Sequence, residues 1–357
     1  MRTDTTSEWP FSRSELTAGL RRYLGSTSLR VFDIQAMRLP DHIMASTGAG
    51  TRLRAMSVTV QVDGEEQTVS LLLKEPPVTG RGRVLTTVGQ REYGVYRKIA
   101  PLLPVLVPGF IAGDEEKGWI VLEAVTGLRP PHEWVADDYR EAILNIAAMH
   151  ERFWGAGEAL EAFPWLARPL DADYEITISA LRAAVRRLTT NGAAVPALSD
   201  MTHLNLFIRL SRLADAVVLP LREETETLVH GDYWPGNIAR PIDGRQMVFD
   251  WQLTGVGPAI LDLVGFIQSS RMNLEPALSP DELIRLYREC HEKTLGHGWD
   301  TQHFERLWDH TLIWLFMVNW LGKLSTMTAD DYERIRERFV AVWLEPVFGA
   351  VDRRLPA

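Results

Sequence analysis

Apolar and polar positions alternate in the first third of the chain. Ser57–Val62 alternates with a period of two, and Thr68–Lys74 is a second run rich in strand-forming residues. Asp63-Gly64 lies between them and is typical of a tight hairpin turn. A helix is predicted over Gln90–Ile99, and short strands at Gly109–Ala112 and Trp119–Glu123.

After the Pro130-Pro131 pair the apolar spacing becomes helical. Asp138–Trp154 places Ile143 and Ile146 on one face, and Leu228–Phe249 is the one β-like stretch, with Asp243-Gly244 as its turn. The pattern predicts an α+β chain with a small β-rich lobe over residues 1–126, a hinge near 124–131 and a larger, mainly helical lobe over 127–357. Further helices are predicted over residues 174–188, 200–214, 281–294, 302–317 and 330–343.

Composition is that of an ordinary globular protein. The 357 residues are 46% hydrophobic and 24% charged, which excludes a disordered or coiled-coil chain. The 38 basic and 47 acidic residues give a net charge of −9. Such a charge disfavours a nucleic-acid partner and mildly favours cationic or neutral ligands.

Cysteine content and apolar runs indicate the compartment. Cys290 is the single cysteine, so an intrachain disulfide is impossible. Met1–Arg13 has no apolar segment of the kind found in signal peptides. Leu312–Val318 is far shorter than the roughly 20 apolar residues of a membrane span. We expect a soluble, cytoplasmic protein without a membrane partner; the oligomeric state stays open.

The most informative stretch is His230-Gly231-Asp232-Tyr233-Trp234-Pro235-Gly236-Asn237. It follows an apolar strand, and Pro235-Gly236 turns the chain back towards a second apolar strand that ends in Asp250. Carboxylate and amide oxygens are ligands that Mg²⁺ prefers. A phosphoryl-transfer site also needs one carboxylate to accept a hydroxyl proton. The spacing of Asp232, Asn237 and Asp250 is suited to both tasks.

This motif resembles the catalytic loop of the protein-kinase-like superfamily. Its form, with Val248-Phe249-Asp250-Trp251 after it, is similar to the aminoglycoside phosphotransferase and choline kinase branch, as is Gly257–Leu263. The resemblance implies a two-lobed kinase-like fold and Mg²⁺. The protein-kinase activation segment ending in Ala-Pro-Glu is not found after the motif, which favours a small-molecule kinase. The implied roles are Asp232 as catalytic base, Asn237 and Asp250 as metal ligands, and Asp262 as a structural support.

The β-rich lobe contains candidates for nucleotide binding. A kinase needs a strand lysine that contacts phosphates and a helix glutamate that holds it. Lys74 ends a predicted strand and Glu92 lies on the next helix, so this pair is predicted. Glu123 and Val125 belong to the segment whose backbone would meet the base of ATP or GTP. Thr47–Thr51, with Gly48 and Gly50, is the candidate phosphate loop, although it lacks the full G-x-G-x-x-G pattern.

Other polar and aromatic residues have simpler interpretations. His230 is expected to brace the loop, and His150 to be a core histidine with its hydrogen bonds satisfied. The spacing of the late histidines fits no compact metal motif. The C-terminal tryptophans are expected to pack in the core. The alternative is that some of them line an acceptor pocket. The late histidines are His291, His297, His303 and His310.

The sequence therefore predicts an enzyme that moves the γ-phosphate of ATP or GTP to a hydroxyl of a small molecule. An antibiotic, a choline- or sugar-like metabolite and a steroid-like alcohol are all compatible acceptors, bound by the segments 171–214 and 266–345. A catalytically weak nucleotide-binding pseudokinase and a protein kinase remain as alternatives.

Overall fold

The computed structural model describes residues 9–39, 52–76, 88–190, 201–242, 244–296 and 298–356. The chain forms two compact units. The first unit comprises Met1–Arg129 and Ala239–Leu253, and the second Pro130–Ile238 and Thr254–Ala357. The first unit thus includes a stretch from late in the sequence, the one that contains Asp250. The division into lobes of residues 1–126 and 127–357, the first for nucleotide binding and the second for catalysis and substrate binding as the resemblance to kinases implies, stays a prediction.

The first unit is built on a five-stranded antiparallel sheet with the strand order β1-β2-β3-β5-β4. Met56, Val58 and Val60 are fully buried at every second position of β2, as strand geometry requires. Asp63 has φ of 51° and Gly64 of 94°, which are the two positive values of a tight hairpin turn. The strands are β1 (Arg30–Met37), β2 (Arg52–Val62), β3 (Glu65–Glu75), β4 (Phe110–Asp114) and β5 (Trp119–Glu123).

A helix that the alternation pattern does not predict packs on this sheet. Helix α1 (Arg13–Leu24) begins after Ser12, whose side chain accepts the Glu15 N–H while the Glu15 carboxylate accepts the Ser12 N–H. This reciprocal cap satisfies two backbone donors that a helix start leaves unpaired. Leu16 and Leu20 are buried in one core with residues of the sheet.

The helix after β3 brings a glutamate towards the late stretch of the first unit. Helix α2 (Val88–Gly94) continues as a π-helical turn, Val95–Ile99, and together they cover the helix predicted over 90–99. Helix α2 packs against a short 3₁₀ turn, Trp251–Leu253. Glu92 therefore lies beside the segment that follows Asp250.

The second unit is mainly helical, and most of its helices coincide with the predicted periodic stretches. The helix predicted over 200–214 is two helices, because the chain breaks at Leu213. None of the helices in the described parts of the chain is long and apolar enough to cross a membrane. The helices are α3 (Ala136–Arg152), α4 (Tyr174–Thr190), α5 (Met201–Arg212), α6 (Ala214–Arg222), α7 (Ile260–Asn273), α8 (Pro280–Leu295), α9 (Thr301–Asn319), α10 (Leu321–Leu324), α11 (Ala329–Phe339) and α12 (Glu345–Arg354).

Two short strand pairs include the segments just before and just after the motif in the sequence. Strand β6 (Glu226–Val229) pairs with β9 (Gly255–Pro258), and β7 (Ile238–Ala239) pairs with β8 (Met247–Val248). The predicted β-like stretch thus contains the β7–β8 hairpin, whereas β6 finds its partner beyond it. Asp243, assigned to the hairpin turn, lies outside the described residues.

Candidate active site

Lys74 is the centre of a buried charge cluster in the first unit. It lies near the end of β3, with neighbours on both β2 and β5. Its Nζ is 2.7 Å from Oε2 of Glu92 and 2.6 Å from Oδ1 of Asp250. The side chain of Lys74 is 12% exposed and that of Glu92 7%. The predicted Lys74–Glu92 ion pair is present, and Asp250, which follows Lys74 by 176 positions, is the second partner.

The cluster keeps Lys74 charged in spite of its burial. Burial acts to lower the pKa of Lys74, but the charges of Asp250 and Glu92 and their hydrogen bonds outweigh this effect and raise it. Burial also raises the pKa of Glu92, an effect that the charge of Lys74 opposes. Removing either carboxylate would therefore leave the ammonium group less compensated in a poorly solvated place.

Asp250 has a backbone conformation that few residues adopt. Its φ is 63°, in the left-handed region, where aspartate is tolerated better than most side chains. Such a conformation costs about 1–3 kcal/mol and is found most often at functional sites. The next residue, Trp251, is fully buried and donates its indole Nε1–H to the carbonyl of Val248. The backbone of Trp251 forms a hydrogen bond with Glu92. Glu92 thus fixes both Lys74 and the chain next to Asp250.

The motif loop of the second unit is attached to its surroundings at several points. Gly231 has φ of 80°, a value that suits glycine best. The hydroxyl of the buried Tyr233 donates to the carbonyl of Ala142 on α3, 2.8 Å away. Asp232 lies between these residues and is partly exposed. The loop thus holds the Asp232 carboxylate in a fixed, partly exposed place.

Asn237 is oriented by Asp232. Its Nδ2 donates to Oδ2 of Asp232 at 2.9 Å and to the carbonyl of Asp232 at 2.8 Å. Asn237 ends the 3₁₀ turn Pro235–Asn237, which folds the chain back on itself. Because Nδ2 makes both bonds, the amide oxygen Oδ1 is the atom of Asn237 suited to a cation.

Asp262, at the start of α7, accepts two backbone amides of the loop. Its Oδ2 is 2.6 Å from N of His230, and its Oδ1 is 2.8 Å from N of Gly231. Nδ1 of His230 lies 3.3 Å from the backbone nitrogen of Asp232. His230, predicted to brace the loop, therefore accepts from the residue that it supports.

The segment predicted to meet a nucleotide base is held by backbone bonds. The N–H of Glu123 donates to Gly109 at 2.8 Å, and that of Ala124 to Ser70 at 3.1 Å. The Glu123 carboxylate accepts the Gly109 N–H at 3.0 Å. Burial, together with the charge of Glu123, raises the pKa of Tyr23 to about 12. The bonds of Glu123 and Ala124 thus hold this segment to the chain at Gly109 and Ser70.

The structure brings the predicted residues together in two sets. Lys74, Glu92 and Asp250 are in contact in the first unit, and Asp232 and Asn237 in the second. Gly48 and Gly50, the candidate phosphate loop, lie outside the described residues. Within the described ranges, no group of three or more His, Cys, Asp or Glu side chains is arranged to hold a metal ion.

Sequence reasoning missed part of the loop's support. His150 on α3 is fully buried, as expected of a core histidine, but its ring bonds to Asp262 and to Tyr287 of α8. No spacing rule connects His150 with these two partners, each of which is more than a hundred positions away from it. The sequence signal that could have indicated this contact is a histidine on the apolar face of one predicted helix together with an aspartate in another apolar segment.

A β-rich unit with a buried lysine–glutamate pair, followed by a helical unit with an H-x-D-x-x-x-x-N loop, defines a kinase-like phosphotransferase. The chain belongs to the phosphotransferase enzyme family, whose family model matches residues 56–297. The predicted family is confirmed, and so is a small-molecule kinase as the class of enzyme. No curated protein matches the chain.

Solved structures agree on the fold. The chain is 12% identical to the protein in the ternary complex of streptomycin, ATP and APH(2")-IIa, over 95% of this chain and 97% of that chain, with a TM-score of 0.50. It is 13% identical to aminoglycoside 2'-phosphotransferase-IIIa in its GDP complex, over 96% and 99%, with a TM-score of 0.50. An ethanolamine kinase from Plasmodium vivax is 12% identical over 89% and 83%, with a TM-score of 0.54. The predicted α+β kinase-like fold class is confirmed.

Proposed function

We propose that this protein transfers the γ-phosphate of ATP or GTP to a hydroxyl group of a small molecule. Family membership supports phosphoryl transfer, and the observation that carries the proposal is the buried Lys74 held between Glu92 and Asp250. A buried ammonium group with two carboxylate partners contributes little to stability, because desolvation offsets the attraction, so binding of an anionic ligand is the better explanation for it. Phosphate oxygens are such a ligand, because they develop charge during transfer.

Asp232 is the catalytic base in this proposal. Its carboxylate orients the acceptor hydroxyl and takes up the hydroxyl proton as the new phosphate ester bond forms, while the bond between the β–γ bridging oxygen and the γ-phosphorus breaks. The support is its partial exposure on a loop whose backbone is bonded to Asp262. The loose transition state places most of the catalytic effect in positioning and charge stabilisation.

Asp250 and Asn237 are the proposed Mg²⁺ ligands. The donor set fits, because Asn237 keeps its amide oxygen and Asp250 a second carboxylate oxygen beyond the one that contacts Lys74. When bound, the cation would neutralise charge on the phosphates.

The Mg²⁺ assignment has a direct test. Asp250→Ala should abolish the Mg²⁺-dependent part of nucleotide binding in a calorimetric titration with and without EDTA. Asp114→Ala, on another carboxylate of the first unit, is the matched control and should bind as the wild type does. Undiminished Mg²⁺-dependent binding by Asp250→Ala would rule out this residue as the ligand.

Lys74 contacts the phosphates in this proposal, and Glu92 orients it. The base of the nucleotide forms hydrogen bonds with the carbonyls of the Glu123–Val125 segment or with the Val125 amide. ATP and GTP stay equal candidates, since structural neighbours carry ATP in one case and GDP in another. The backbone bonds of Glu123 and Ala124 support a segment of fixed shape.

An antibiotic or an amino alcohol is the proposed acceptor. The neighbours include a protein in complex with streptomycin and an ethanolamine kinase, both of which concern cationic compounds with hydroxyl groups. The net charge of −9 favours such acceptors over anionic ones. Segments 171–214 and 266–345 are proposed to bind the acceptor.

A screen of hydroxyl compounds with ATP and with GTP tests the proposed function. Release of nucleoside diphosphate is measured for aminoglycosides, macrolides, choline, ethanolamine, sugars and steroid alcohols, with the Asp232→Asn variant as the blank. We expect at least one cationic hydroxyl compound to raise the release well above the blank. Binding of nucleotide without release for any compound would indicate a pseudokinase, and incorporation of phosphate only into polypeptides would indicate a protein kinase.

A further inference from the structure

A line of hydrogen bonds connects helix α8 with the backbone of the motif loop, entirely inside the second unit. The hydroxyl of Tyr287 is 2.7 Å from Nδ1 of His150, and Nε2 of His150 is 3.3 Å from Oδ2 of Asp262. Asp262 in turn accepts the backbone amides of His230 and Gly231. Three side chains thus link α8 to the residues directly before Asp232.

The direction of these bonds follows from what each group can do. The Asp262 carboxylate accepts two backbone N–H groups, so it acts as an acceptor towards His150 as well, and Nε2 carries the proton. The Nδ1 lone pair of a ring with its proton on Nε2 accepts. Tyr287 must therefore donate its O–H to His150.

Burial makes this arrangement hard to replace by water. His150, Tyr287 and Asp262 are 0%, 1% and 2% exposed. Burial, with the charge of Asp262 as the next cause, raises the pKa of Tyr287 well above its ordinary value. The hydroxyl therefore keeps its proton and remains a donor. A buried group that loses such a partner leaves the other one unsatisfied.

The ring of Tyr287 is positioned independently of its hydroxyl. It stacks with Trp299 at a centroid distance of 6.2 Å and an interplanar angle of 15°, and it meets the ring of His150 edge-on. A phenylalanine at this position would keep these ring contacts. The hydroxyl can thus be removed while the packing of α8 is retained.

We propose that Tyr287 is a positioning residue: its hydroxyl fixes the Nε2–H form of His150, which holds Asp262 and, through it, the backbone that presents Asp232. The part of this inference that concerns turnover rests on the proposed phosphoryl transfer. The part that concerns the loop backbone does not. Helix α8 lies within a segment proposed to bind the acceptor. These hydrogen bonds therefore connect that segment to Asp232, the proposed catalytic base.

Tyr287→Phe tests the inference in two independent measurements. Hydrogen exchange, followed by mass spectrometry on peptides that cover residues 228–234, should become about fivefold faster, because the bonds to Asp262 open more often. The kcat should fall about tenfold with the KM for nucleotide within twofold, since the effect is on the loop and the nucleotide contacts remain.

Tyr139→Phe is the matched control. Tyr139 is buried on α3, the helix that carries His150, and its ring packs against Trp134 and Phe266. This variant also removes a tyrosine hydroxyl, but one that does not belong to the hydrogen bonds between Tyr287 and Asp262. Hydrogen exchange of the loop and kcat should therefore match the wild type. His150→Gln keeps a donor for Asp262, and adding Tyr287→Phe to it should change kcat little, because the two residues act in sequence.

The outcomes separate the two proposals. Loop exchange and kcat of Tyr287→Phe equal to those of Tyr139→Phe would overturn the inference, as would full additivity of Tyr287→Phe and His150→Gln. If the wild type phosphorylates no acceptor, the proposed function fails and the loop exchange alone decides the inference. Faster exchange in Tyr287→Phe then supports it, and unchanged exchange overturns it.

Discussion

At the scale of single residues, Lys74 shows how a buried charge acquires a role. Its ammonium group lies within 2.7 Å of two carboxylates from different parts of the chain. Interactions of this kind stabilise a fold weakly, because desolvation offsets the attraction. In the proposed function, the cluster provides a cation of fixed position for the transferred phosphate.

Lys74→Met should lower turnover about 100-fold or more, because the proposed function assigns to Lys74 the charge that stabilises the transferred phosphate. The methylene stem is kept, so packing changes little. Initial rates at saturating nucleotide and acceptor measure the effect. Lys98→Met is the control, since Lys98 forms an ion pair with Glu115 in which both side chains are 43% exposed. Turnover of Lys74→Met close to that of Lys98→Met would contradict the assigned role.

The burial of His310 leads to a prediction about the stability of the protein at acidic pH. Nδ1 of His310 is 2.9 Å from the carbonyl of Val217, and burial lowers the pKa of His310 below its ordinary 6.5. The imidazole of His310 therefore binds a proton more readily in the unfolded chain than in the folded one. The stability contributed by neutral His310 is lost as the pH falls below 6.5.

His310→Asn removes this titration while an amide N–H near the Nδ1 position is retained. The decrease in Tm between pH 7.5 and pH 5 should become smaller by about 2 °C. Thermal unfolding in a pH series measures it. Equal pH dependence of the variant and the wild type would show that His310 does not contribute to acid sensitivity.

The predictability of single residues depends on whether their partners share a motif. Asp232, Asn237 and Asp250 belong to one short stretch, so their spacing indicates the chemistry. The contact of Lys74 with Asp250 is a tertiary one, and that of His150 with Tyr287 joins positions 137 apart. No periodicity carries such information, because these contacts form only when segments distant in the sequence pack together.

At the scale of elements, the docking of α1 on the sheet depends on one missing side chain. A Cβ atom on Gly19 would lie 2.0 Å from the carbonyl oxygen of Ile111 in β4. That distance leaves no space for any larger residue unless the helix moves. Arg22 also donates to the carbonyl of Ile111, which ties the same two elements together.

Gly19→Ala should therefore decrease the free energy of unfolding by about 1–3 kcal/mol. Gly322→Ala is the matched control on α10, where a Cβ would have nothing within 4 Å. There alanine should be neutral or should stabilise by about 0.5–1 kcal/mol, because it favours helix. Urea unfolding followed by tryptophan fluorescence compares the two. Equal stability of the two variants would contradict the tight packing of α1.

The elements that the sequence predicts best are those with one buried face. Helix α3 shows a clear helical spacing of apolar residues and lies close to its predicted bounds. Helix α7 is buried on nearly all sides, with Leu261, Leu263 and Phe266 among its buried residues, so its pattern has no polar face to reveal a helix. Helix α1 is short, and its capping box at Ser12 and Glu15 is the signal that the alternation pattern overlooks.

At the scale of the whole molecule, the order of residues in the chain does not follow the two compact units. The stretch Ala239–Leu253 returns to the first unit and carries Asp250 to Lys74, whereas Asp232 and Asn237 stay in the second. Family and fold class could be predicted from the motif and the change of periodicity. The return of the chain could not, because the short strands β7 and β8 and their turn look like any local hairpin.

The central claim is that Asp232 accepts the proton of an acceptor hydroxyl during phosphoryl transfer. The direct measurement compares Asp232→Asn with the wild type, with calorimetry for Mg²⁺-nucleotide binding and diphosphate release for turnover with the acceptor found in the screen. If Asp232 is the base, nucleotide affinity should stay within about twofold of the wild type and turnover should be lower by a factor of about 100 or more. Turnover near the wild-type value with the affinity retained would contradict the claim.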